Sequence, residues 1–133
     1  MSDLDDRWNR LGERLVACRH FRWMPGMLRD DGWRFIGLDS TNGEEHGFSA
    51  PADEGGGTCW SWPIHLKEAN CTPDTTDPAT VGCIEALLIE ATGGSVVMTR
   101  GNGWHSVETD FGAWESETED YVEALIAALE AAP

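Results

Sequence analysis

Asp77-Pro78-Ala79-Thr80-Val81-Gly82-Cys83-Ile84-Glu85-Ala86-Leu87-Leu88-Ile89-Glu90-Ala91-Thr92-Gly93-Gly94 runs directly into Ser95-Val96-Val97-Met98-Thr99-Arg100-Gly101-Asn102-Gly103-Trp104-His105-Ser106-Val107-Glu108-Thr109-Asp110. The apolar period changes where the two stretches meet. In the first, Val81, Ile84, Leu87, Leu88 and Ala91 fall on one side of a helix. Asp77 is placed to cap that helix, Pro78 fits its first position, and Gly93-Gly94 ends it. In the second, Ser95 to Arg100 and Trp104 to Asp110 are β-prone runs around Gly101-Asn102-Gly103, a tight hairpin turn. Val97 and Thr99 fall on one face of the first strand, Val96 and Met98 on the other. A helix feeding an antiparallel hairpin therefore sets the fold class as α+β. Gly82, in the second turn of this helix, costs about 1 kcal/mol relative to Ala, so a close approach by another backbone is expected there.

The same reading extends in both directions. Toward the C-terminus, Ser116 with Glu119 forms a capping box, and Val122, Leu125, Ile126 and Leu129 form the apolar side of a closing helix. At the N-terminus, Leu4, Trp8, Leu11, Leu15 and Cys18 recur at helical spacing, with Ser2 as N-cap and Asp5 at the capping-box position. Arg7, Arg10 and Arg14 line a neighbouring face of this helix. Asp3 to Arg7 and Asp6 to Arg10 have the spacing of local ion pairs, which favours a solvated, self-paired face over a phosphate-binding row. Between these helices, Asp30-Asp31-Gly32 is a turn before a strand from Trp33 to Leu38, and Thr58 to Ile64 is a further strand with Trp60, Trp62 and Ile64 on one face. Residues 39–57 read as loop.

The expected architecture is one α+β domain over residues 1–133, with elements in the order αββ(β)αββα. An antiparallel sheet of four or five strands is covered by about three helices, and a variable, loop-rich insertion occupies about 39–76. Asp31-Gly32-Trp33 and Asn102-Gly103-Trp104 look like equivalent turns, although two tripeptides are weak support for a repeat. Hydrophobic content of 41% and seven Trp set the chain apart from disordered acidic segments, which lack the residues for a core. With no leader-like start and no long apolar run, a cytoplasmic protein with reduced thiols is expected, Cys18 and Cys83 being small buried hydrophobes.

Charge is divided unevenly. Residues 1–34 hold seven of the nine basic side chains and carry a net +1, whereas the remainder carries −16, with only Lys67 and Arg100 against eighteen carboxylates. Such a surface repels phosphate backbones and anionic membranes and attracts basic partners. Direct nucleic-acid binding and membrane association are disfavoured on this ground. Gly55-Gly56-Gly57 lacks the Gly-Lys-Ser/Thr ending of a phosphate loop, and no Gly-x-Gly-x-x-Gly motif opens a helix. No cofactor is expected.

The segments Pro73-Asp74-Thr75-Thr76-Asp77-Pro78-Ala79-Thr80-Val81-Gly82-Cys83-Ile84-Glu85-Ala86-Leu87 and Glu119-Asp120-Tyr121-Val122-Glu123-Ala124-Leu125-Ile126-Ala127-Ala128-Leu129-Glu130-Ala131-Ala132 resemble small uncharacterised proteins of tailed phages and prophages. They are also distantly similar to the phage ABA-sandwich domain. The resembling residues are helix caps and core positions, so the resemblance implies origin and fold and brings no catalytic residue with it. Residues 42–70 have no counterpart in it.

Three functional expectations follow. The first is a non-enzymatic phage accessory protein in the cytoplasm of the host cell, binding a host protein with a basic surface and inhibiting a defence or nucleic-acid-binding factor by charge mimicry. Its candidate contact residues are Trp60, Trp62 and His65, together with the carboxylates Glu108, Asp110, Glu115, Glu117, Glu119, Asp120 and Glu123, whose spacing resembles that of phosphates. Plain solubility is the competing reading of the same carboxylates. The second is a small hydrolase or transferase with a Cys/His or metal site near Cys59, His65 and Cys71, with His46 and His105 as further possible bases. Gly-x-Ser-x-Gly, His-Glu-x-x-His and Cys-x-x-Cys motifs are all absent. The third is a virion or assembly component that works as an oligomer.

Overall fold

A computed structural model describes residues 3–30, 32–38, 46–49, 57–61, 72–117 and 120–133. Its elements are α1 (Asp3–Ala17), β1 (Arg34–Leu38), β2 (His46–Ser49), β3 (Thr58–Ser61), α2 (Pro78–Ala91), β4 (Val96–Arg100), β5 (Trp104–Thr109), β6 (Gly112–Glu117) and α3 (Tyr121–Ala131). The class is α+β. Among the described residues no single sheet of four or five strands forms; the described strands divide into two three-stranded antiparallel meanders, β1-β2-β3 and β4-β5-β6. Each helix-to-helix interval holds one meander, and α2 separates the two.

The reading of α2 holds in detail. Asp77 accepts a hydrogen bond from the Thr80 N–H, which satisfies one of the orphan donors of the first turn. At the other end the Gly94 N–H reaches Ile89 O and the Gly93 N–H reaches Glu90 O, with both glycines at positive φ. That is the Schellman arrangement. Gly82, however, has nothing within 4 Å of a built Cβ. The close backbone approach occurs at Gly12 of α1, where a Cβ would lie 3.0 Å from Pro73 O and 3.1 Å from Thr72 Cβ.

α3 is the centre of the core. Leu125, Ile126, Ala128 and Leu129 are fully buried and pack with Leu11 and Leu15 of α1, Met27, Ile84, Leu87 and Leu88 of α2, and Val107 of β5. Each large aliphatic side chain so buried contributes about 1.5–3 kcal/mol before the entropy of ordering is counted. Phe35 of β1 stands apart in a small cluster with Trp23 and Trp33. Cys18 and Cys83 are half-buried free thiols rather than fully buried core residues.

Two strands lie where none was expected, β2 inside the segment read as loop and β6 just before α3. Because β6 runs through Ser116, that residue cannot cap α3. Asp120 stands at the N-cap position and makes no side-chain cap hydrogen bond; its carboxylate bonds to Arg7 instead. Asp31, at the centre of the expected Asp30-Asp31-Gly32 turn, falls outside the described residues; on its flanks the Arg29 N–H bonds to Trp33 O, and the strand that follows, β1, pairs onward with β2. Behind it Leu28 bridges Arg34, the Gly26 N–H bonds to Phe35 O and the Phe35 N–H bonds to Met27 O. Gly32 and Gly103 both adopt positive φ, 93° and 80°.

Candidate functional site

Strand alternation gives the second meander two faces. Val96, Met98, Val107 and Trp114 turn toward the helices and join the core. The register places Val97 beside Glu108, Glu108 beside Ala113, Ser106 beside Glu115 and Trp104 beside Glu117. Glu108, Glu115 and Glu117 therefore share the outer face with Val97 and Trp104, which are 58% and 45% exposed. Asp110 and Phe111, the latter 46% exposed, lie in the turn between β5 and β6. Carboxylates two residues apart on a strand are separated by about 7 Å along it, which is the spacing of Glu115 and Glu117. Among the described residues, none of these four carboxylates has an ion-pair partner.

Asp120 and Glu123 are placed differently. Arg7 of α1 bonds to Asp120, and its guanidinium also lies 3.2 Å from Glu123 Oε2. Arg14 reaches Glu123 at 3.6 Å and bonds to Glu130. These arginines tie α1 to α3 across the sequence rather than pairing only along their own helix. Glu130 holds the Arg14 guanidinium above its ordinary pKa, chiefly through the hydrogen bond. Arg19 donates to Ala132 O at 2.8 Å, and His20 Nε2 lies 3.0 Å from the same oxygen, placing basic groups at the negative end of α3. Arg22 makes two hydrogen bonds to Glu90 of α2, which pull the Glu90 carboxyl below the usual range. Arg34 grips Asp77 with both terminal nitrogens, at 3.0 and 3.2 Å. Among the described residues, Asp77, Glu90, Asp120, Glu123 and Glu130 on or beside the helices are thus paired with arginines, whereas Glu108, Glu115 and Glu117 on the outer sheet face and Asp110 in its turn are not.

A second feature lies on the inner side of the same meander. A cleft of about 840 Å³ opens between α2, the β4–β5 hairpin and the start of α3. The Tyr121 hydroxyl donates to Glu85 Oε2 at 2.7 Å. His105 stacks on the Tyr121 ring, with centroids 4.2 Å apart and planes 25° from parallel. Burial raises the Tyr121 phenol above its ordinary pKa, and the hydrogen bond to Glu85 adds to the rise. The Trp104 indole folds across Gly101, where a Cβ would clash with the ring. A side chain at position 101 would displace that indole.

Of the expected contact residues, Trp60 lies on β3 opposite Gly47 of β2. Trp62, His65 and Glu119 fall outside the described residues. Cys59 is on β3, while Cys71 and His65 are outside the description, so the Cys/His reading gains no geometry. Among the described residues, no three His, Cys, Asp or Glu side chains come together as a metal site would need. None of the described helices is long and apolar enough to cross a membrane. The cleft was not anticipated. Its pair, Glu85 and Tyr121, is separated by 36 positions, and the available signals were one carboxylate in an apolar helical run and the only tyrosine of the chain.

Comparison with known proteins finds no matching family model, no similar curated protein and no similar solved structure.

Proposed function

We propose that this protein is a non-enzymatic binding protein whose outer β4–β6 face engages a basic surface on a protein partner. The observation that carries this reading is the segregation of Glu108, Asp110, Glu115 and Glu117, which have no internal cation among the described residues, from the carboxylates that arginines already neutralise. An unpaired carboxylate keeps its full acceptor capacity for an incoming Lys or Arg. Exposed Trp104 and Val97 beside these charges supply apolar contact area, and aromatic anchors carry much of the energy at interfaces. The likeness of residues 73–87 and 119–132 to small tailed-phage proteins makes a host protein, and within that class a defence or nucleic-acid-binding factor, the partner proposed. By presenting carboxylates where that factor expects phosphates, the protein would inhibit it by charge mimicry.

The test is competition. A partner captured from host lysate on the immobilised protein at about 0.05 M salt is released at about 0.5 M if the contact is electrostatic. Once purified, that partner should lose bound DNA or RNA as the wild-type protein is added. Failure to displace nucleic acid removes the mimicry reading, and capture indifferent to salt removes the electrostatic one.

A further inference from the structure

We propose that the cleft between α2 and the β4–β5 hairpin binds a zwitterion of short-peptide size, with the ligand's ammonium at Glu85 and its carboxylate at Arg100. The formally charged side chains lining the cleft are one carboxylate, Glu85 on α2, and one guanidinium, Arg100 at the end of β4. They make no salt bridge with each other, and neither has another charged partner among the described residues. Glu85 is bonded to a neutral phenol, which leaves most of its acceptor positions open. Arg100 has five donors and a fork suited to a carboxylate.

The rest of the lining fits the body of such a ligand. Pro78, Val81 and Met98 are apolar, and the stacked His105 and Tyr121 present an aromatic wall. His105 Nδ1 is buried without a hydrogen-bond partner among the described residues, a cost that the fold bears while keeping the imidazole against Tyr121. Costs retained beside an open cleft are a feature of binding sites. The volume of about 840 Å³ lies within the range of about 300–1,000 Å³ typical of small-molecule sites. It exceeds what a single amino acid fills. The net charge of −15 repels a simple anion, and it spreads a simple cation over many surface carboxylates. A neutral zwitterion escapes both effects and is selected by the two charges of the cleft.

The probes are the dipeptide L-phenylalanyl-glycine, its N-acetyl form and its C-terminal amide, titrated calorimetrically and by amide chemical shifts into the full chain. The free dipeptide is expected to bind, shifting Gly103, His105 and Tyr121, with each blocked form at least about tenfold weaker. Glu85→Gln should lower the dipeptide to the level of the N-acetyl form and leave the N-acetyl form unchanged. Arg100→Gln, at an exposed position, should do the same for the amide, so the proposal stays testable if the Glu85 variant misfolds. No binding of the dipeptide at about 10 mM, equal binding of all three probes, or shifts confined to Glu108, Glu115 and Glu117 would overturn the assignment. Glu117→Gln should leave dipeptide binding intact, so the outcome is separable from that of the outer face.

Discussion

Arg7 of α1 bonds to Asp120, the residue immediately before α3. This link removes Asp120 from the carboxylates free to meet a partner and makes it a clamp between the two ends of the chain. Arg7→Glu should place like charges together at that junction and destabilise the fold by about 1 kcal/mol, since part-exposed pairs are worth no more than that. Glu115→Lys, on the outer face, should stay within about 0.5 kcal/mol of wild type. Urea denaturation of both variants measures the difference. Equal losses would mean that the two acidic sets are not structurally distinct.

Asp77 caps Thr80 and receives the Arg34 guanidinium, so its loss acts on both α2 and the start of β1. Asp77→Ala should cost about 1–3 kcal/mol, the sum of a lost cap and a disrupted charge-assisted bond. Calorimetric melting at neutral pH checks this, and an unchanged melting temperature would contradict it.

The Arg34 hydrogen bond also holds the Asp77 carboxyl below its ordinary pKa. A depressed folded-state pKa gives stability that is full above the unfolded value of about 3.9 and is lost as pH falls through the folded value. The stability gap between wild type and Asp77→Asn should therefore narrow as pH drops from about 5 toward 2. A gap constant over that window would exclude the linkage.

Gly12 and Gly82 give opposite predictions for the same substitution. At Gly82 the space is open, so Gly82→Ala should stabilise α2 by up to about 1 kcal/mol through helix propensity. At Gly12 a Cβ meets Pro73 O at 3.0 Å, and because that atom is backbone, Gly12→Ala should destabilise by about 1–3 kcal/mol. Thermal melts of the two variants decide it, and a shift of the same sign in both would contradict the packing described.

These glycines also show how far the sequence could be read. α1, α2, the β4–β5 hairpin and α3 were legible because each has its own local signature: apolar spacing, Asp77-Pro78 and Gly93-Gly94, and the Gly101-Asn102-Gly103 turn. A helical glycine signals that something is unusual, but the nearby backbone comes from residues distant in sequence, so no local pattern separates Gly82, which faces open space, from Gly12, which lies against Pro73 O. β6 was missed because Ser116 and Glu119 spell a capping box and Glu115 and Glu117 are poor strand formers. β2 was missed because Glu44-Glu45-His46-Gly47-Phe48-Ser49 carries no apolar alternation.

The site was less legible still. Composition showed an acid excess in the last two thirds of the chain, and register was needed to separate Glu108, Glu115 and Glu117 from Asp120 and Glu123. The spacing of Arg7 and Arg14 favoured partners along α1, whereas their described partners lie on or beside α3, more than a hundred residues away. No local pattern encodes such a pairing.

The proposed function places binding on the outer β4–β6 face. Its most direct test is the affinity of the purified partner for wild type and for the triple variant Glu108→Gln, Glu115→Gln, Glu117→Gln, measured across a salt series. Binding through this face gives at least about a tenfold loss at low salt and a flatter salt dependence in the variant, with the melting temperature nearly unchanged. A variant that binds as tightly as wild type, with the same salt dependence, would contradict it.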